Sequence, residues 1–159
     1  VFAACSANNP ESPTETPDAS SSDGPEATTT DAAVADVTGV TVSGDASNYT
    51  FSVTLASPDT GCDQYANWWE VLDQDGALLY RRILGHSHVD EQPFTRSGGP
   101  VDVQADTPVF VRAHMNNTGY GGIVFSGTPS GTFAAATDFD TEAAAAAETQ
   151  DPLPESCAF

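Results

Sequence analysis

What most constrains this chain is a series of short strand-like segments, each five to nine residues long, with turn residues between them. Residues 48–56 (NYTFSVTLA) alternate most clearly. Tyr49, Phe51, Val53 and Leu55 fall on one side of an extended strand, with Thr50, Ser52 and Thr54 on the other. Residues 37–43 (VTGVTVS) repeat the pattern. Residues 66–73 (ANWWEVLD) and 77–84 (ALLYRRIL) flank Gln74-Asp75-Gly76, a tight-turn sequence that predicts a hairpin. Residues 100–104 (PVDVQ), 108–115 (PVFVRAHM) and 122–126 (GIVFS) bring the count to about seven strands in about 100 residues. The expected fold is all-β, an antiparallel sandwich.

Composition divides the remainder. At 159 residues the chain has room for one ordinary domain and its tails. Residues 6–35 are almost all Ser, Thr, Pro, Ala, Asn and acid. Such a segment cannot bury enough apolar surface to offset its ordering entropy, so it reads as a disordered linker with a reach of roughly 30 Å. Residues 36–133, the expected sandwich, hold every Trp, Tyr, His and Arg. Residues 134–159 form an Ala-rich tail, a short helix capped by Asp138 or Thr141 or else an irregular segment, stopped by Pro152 and Pro154.

There are 23 acidic side chains, four arginines and no lysine, for a formal charge of -19. That charge repels a phosphate backbone and argues against nucleic acid as a partner. Eleven acids face the four arginines within 36–133, so most of the excess sits in the tails, where it favours solubility in salty surroundings. With no apolar run of about 20 residues, a transmembrane helix is not expected.

Cys5 ends the segment VFAAC, directly before the Ser/Pro/Thr-rich linker. The segment resembles the end of a bacterial lipoprotein signal, in which small residues precede a lipidated cysteine; Phe2 stands where that family usually has leucine. The sequence begins without methionine and reads as lacking the rest of such a signal. The resemblance implies lipid on Cys5, a bilayer as partner and an extracytoplasmic, membrane-anchored location: outer membrane, periplasm or cell surface. Cys62 and Cys157 then remain as the natural disulfide pair of an oxidising compartment. Their bond would staple the tail to the start of a core strand and, closing about 95 residues, contribute around 4 kcal/mol. No CxxC or CxH spacing supports a reactive or metal-binding thiol instead.

Trp68 or Trp69 on the third strand and the stretch VRAHMNNTGYGG (111–122) resemble an immunoglobulin-like or fibronectin type III domain, although the characteristic inter-sheet cysteine pair is absent. The resemblance implies strands A, B, C, C′, E, F and G, with C′ and F parallel to each other on either side of C. His86 and His88 follow C′ and His114 ends F, so all three are expected at one pole, across about 9.5 Å. Three imidazoles there would suit copper or zinc, with Asp63, Asp90 or Glu91 adding a carboxylate. A solvated loop is the plainer account of the same residues. Alternation turns Met115 toward the core with Val109, Val111 and Ala113, away from His114.

One of the two tryptophans fills the core and the other faces out. With Tyr65, Asn116, Asn117 and Tyr120, an exposed Trp68 or Trp69 could stack on a sugar ring; the alternative is that the tail covers it. Arg81 and Arg82 point to opposite faces, and a salt bridge to Glu70 or Asp73 is the simple expectation. No catalytic motif is present: Ser87, His88 and Asp90 have triad residue types, but neighbours on an extended loop alternate sides. The sequence therefore reads as an anchored binding protein, with a metal ion at the histidine pole or a glycan or protein ligand as the two candidates.

Overall fold

The alternation of residues 48–56 becomes a strand with one buried side. In β2 (Asn48–Ala56), Tyr49, Phe51, Val53 and Leu55 are buried while the intervening side chains reach solvent. The computed structural model describes residues 32–158 and consists of two antiparallel sheets. One has the order β1 (Asp36–Asp45), β2, β5 (Phe94–Val101). The other runs β4 (Leu78–Ile83), β3 (Ala66–Leu72), β6 (Val109–Met115), β7 (Phe125–Gly127), β8 (Ala134–Ala135). In the large sheet β4 and β6 flank β3 and run parallel to each other, as the immunoglobulin-like resemblance implies for C′, F and C.

The inner faces form one core. Phe51, Val53, Leu55 and Phe94 from the small sheet meet Trp69, Val71, Val109, Val111 and Met115 from the large one. Each such side chain contributes roughly 1.5–3 kcal/mol by leaving water. Met115 is fully buried there, and Arg112 and His114 turn to the other face, as the alternation of β6 predicts. The β3–β4 turn forms where expected: Asp73 Oδ1 accepts from the N–H groups of Asp75 and Ala77, and Gly76 takes a φ of 79° that suits glycine.

Three expectations are corrected. The fifth strand is Phe94–Val101 rather than 100–104. Its sequence FTRSGGPV has deeply buried apolar residues only at its ends, so it lacks visible alternation. A Cβ on Gly98 would lie 2.6 Å from the Tyr80 hydroxyl, so a larger residue there requires the Tyr80 ring, which packs against this strand, to move. The last strand begins at Phe125, and the large sheet continues into the tail through β8. The tail has one 3-10 turn, Ala145–Thr149, and it is Asp140 whose carboxylate accepts from the N–H groups of Glu142 and Ala143 upstream of it. At the other end Ala35, the last residue of the expected linker, packs into the core. Residues 6–31 of it, and Cys5, lie outside the described residues.

Candidate functional site

Strand β3 is buried along its whole length, which in a two-layer sandwich means that something covers its outer face. The register explains what. Glu70 lies opposite Arg81 on β4 and opposite Arg112 on β6. Arg81 Nε and Nη2 donate to Glu70 Oε2 at 2.8 and 2.5 Å, and Arg112 Nε donates to Oε1 at 2.7 Å. Tyr120 Oη donates to the same Oε1 at 2.8 Å. Burial, and then the Glu70 charge, push the Tyr120 phenol well above its ordinary range, so it remains a neutral donor. The Glu70 and Arg81 side chains are wholly buried and Arg112 is nearly so.

The remaining guanidinium donors hold the C-terminal segment. Arg81 donates to the carbonyls of Ala147, Gln150 and Pro152 at 2.6, 2.6 and 3.2 Å, and Arg112 Nη2 to that of Ala144 at 2.9 Å. The Ala144 and Ala147 carbonyls also accept from the strap's own N–H groups of Ala147 and Gln150, whereas those of Gln150 and Pro152 depend on Arg81 among the described residues. The alanine run allows this approach: Ala144 and Ala147 are fully buried against Leu72. A Cβ on Gly76 would lie 2.6 Å from the Ala144 nitrogen. The Cys62–Cys157 disulfide is present, and Ala158 N–H donates to Gly85 at 2.7 Å, so the segment is fastened at its far end as well.

Trp69 fills the core, and Trp68 is the outward-facing tryptophan, lying under this strap at 4 % exposure. Its ring stacks on His114 with centroids 3.7 Å apart, Arg81 sits over it, and its N–H donates to Tyr120 Oη at 3.2 Å. Tyr65 is also buried. Asn116 is exposed but joins two loops, accepting from Tyr65 N–H and donating to the Cys62 carbonyl, and Asn117 donates to Gln64. The residues expected to form a sugar-stacking platform thus do not share one open surface.

The three histidines sit near one end of the sheet but on different faces. His88 stacks on Phe94 of the small sheet at 3.8 Å, with the exposed His86 ring 4.5 Å away. Its backbone N–H donates to buried Asp59, which also accepts from Ser57 Oγ and Ala66 N–H. His114, on the outer face, has Nδ1 2.7 Å from Asn67 Oδ1 and Nε2 3.5 Å from Glu148. Among the described residues no group of three or more His, Cys, Asp or Glu side chains is placed to hold a metal ion. Sharing a pole is not sharing a face.

Burial is the leading reason that the His88 and His114 imidazoles titrate below the ordinary histidine range. The folded chain therefore resists protonation that the unfolded chain accepts. Stability from these groups is intact above pH ~6.5 and declines as pH falls below it, by at most about 1.4 kcal/mol per pH unit for each histidine. Urea melts at descending pH should show that decline, and His88→Gln should flatten it. An unchanged profile in the variant would exclude His88 as a source.

Fold and site together define a β-sandwich whose outer face is closed by a disulfide-fastened strap. Over 72 residues the chain is 47% identical to a protein of Halomicrobium mukohataei (strain ATCC 700874 / DSM 12286 / JCM 9738 / NCIMB 13541) named "Putative lipoprotein". The similarity takes in 45% of this chain and 35% of that protein, so the chain covers much less than two thirds of its relative. No family model matches the chain, and no solved structure does.

Proposed function

We propose that this chain is a lipid-anchored extracytoplasmic protein whose sandwich acts as a binding module. The intrachain Cys62–Cys157 disulfide carries the reading, because such bonds persist in oxidising surroundings outside the cytoplasm. The lipobox-like VFAAC and the name of the relative support the anchor. Lipid on Cys5 followed by a Ser/Pro/Thr-rich spacer would hold the sandwich at a distance from the bilayer. Among the described residues no helix is long and apolar enough to cross a membrane.

The test is fractionation of cells producing the chain behind a lipoprotein export signal. The wild-type protein should sediment with membranes and carry the mass of a lipid on its N-terminal peptide. Cys5→Ser should lose the lipid and move to the soluble fraction. A wild-type protein that is soluble and unmodified would overturn the anchor.

A further inference from the structure

Between the strap and the outer sheet face lies a partly enclosed cavity of about 240 Å³. It has space for several waters or for one small organic molecule. Val124, Phe139, Ala145 and the Tyr120 ring give it a mainly apolar wall. Two charged side chains also line it, Arg112 and Glu148.

Arg112 is the unusual member. It is 97 % buried by its 3 % exposure, and its Nε and Nη2 are committed to Glu70 and Ala144. Its Nη1 has no hydrogen-bond partner among the described residues, yet it is not among the sealed, unpaired polar atoms of the interior. The local charge is also uneven. Glu70 is shared by two guanidiniums, which leaves one positive charge in excess on a buried face of an otherwise acidic chain. Glu148 stands at the opposite character and exposure: its carboxylate is half-exposed beside His114.

We propose that this cavity binds a small zwitterion of the α-amino-acid type. The ligand carboxylate takes Arg112 Nη1, its ammonium faces Glu148, and its side chain lies against Tyr120 and Phe139. A carboxylate without a cationic group would meet Glu148 unpaired, and an amine without a carboxylate would meet the excess positive charge of the arginine pair. This deepens the binding-module reading and rests on it, while being independent of the anchor.

Calorimetric titration of the disulfide-bonded chain compares L-leucine with 4-methylpentanoate, which lacks the amine, and 3-methylbutylamine, which lacks the carboxylate. Leucine should bind, and each truncated analogue should bind about tenfold more weakly or worse, because a buried polar group is then left unpaired. Glu148→Gln should lower leucine to the level of 4-methylpentanoate. Ala145→Trp, which fills the cavity from its exposed side, should abolish binding while leaving the unfolding midpoint in place. Glycine and L-phenylalanine test whether only the size of the side chain is wrong. Failure of all three amino acids, equal affinity for the analogues, or undiminished binding by Ala145→Trp would overturn the proposal. None of these outcomes alters the fractionation of Cys5→Ser, so the two readings fail separately.

Discussion

Replacing Glu70 by alanine is expected to cost about 3–5 kcal/mol of folding stability, because it leaves two buried guanidiniums without the carboxylate they share. Glu70 is completely buried and is the one carboxylate that both Arg81 and Arg112 engage. Chemical denaturation measures the loss, and a decrease below about 1 kcal/mol would show that solvent reaches the arginines and screens them. The triple variant Glu70→Leu, Arg81→Met, Arg112→Met separates two roles. Buried ion pairs can often be exchanged for apolar groups at little cost, so the sandwich should fold. The carbonyls of Ala144, Ala147, Gln150 and Pro152 would lose their arginine donors, leaving Ala144 and Ala147 with only the strap's own N–H groups and Gln150 and Pro152 with none among the described residues, so the strap should loosen even where the sheets survive.

Breaking the disulfide is the second large effect. Cys62 and Cys157 are 95 positions apart, and loss of such a link from a small extracytoplasmic domain costs about 2–5 kcal/mol. The damage should be uneven. Cys157→Ser frees the end of the strap, while the two sheets keep their common core. Trp68 lies under the strap and Trp69 inside the core, so emission should move to the red and one tryptophan should become open to a soluble quencher. Full protection of both tryptophans in Cys157→Ser would mean that the arginine–carbonyl bonds hold the strap unaided. Reduction of the wild-type chain should reproduce the variant.

The legibility of this chain follows from which interactions are local. Strands β2 and β6 were readable from their own alternation, and β3 and β4 from the turn sequence between them; the burial of Met115 followed from counting along one strand. Strand β5 was not, because its glycines serve partners elsewhere: Gly98 makes room for Tyr80 and Gly99 for the Tyr49 backbone. A salt bridge from Arg81 or Arg82 to Glu70 or Asp73 was expected from the hairpin alone, and Arg81 with Glu70 is the pair that forms. The second arginine was not, because Arg112 is 42 positions away and reaches Glu70 only through the β3–β6 register.

The candidate site shows the same division more sharply. Three histidines could be assigned to one end of the domain from strand polarity, but their faces depend on where each chain segment leaves the sheet. His114 follows the alternation of β6 to the outer face, whereas His88 leaves β4 and folds back onto Phe94. For the tail, the alanine run and Cys157 were legible as a segment stapled back to the domain that could cover a tryptophan, but not how it is held. Its role depends on small residues meeting a flat sheet face whose arginines have donors to spare.

The sequence by itself determined the all-β class, the strand alternation that builds the core, and the pair of cysteines available to close it. These rest on periodicity and composition, which act within a few residues or need no geometry at all. The tertiary structure alone decided that the Ala-rich segment is a strap, that Trp68 is covered, and that Arg112 is left with a donor beside a cavity. Each of those depends on hydrogen bonds between residues far apart in the chain, whose partners are chosen by sheet register and by the solvent exclusion that makes an unsatisfied carbonyl or guanidinium costly.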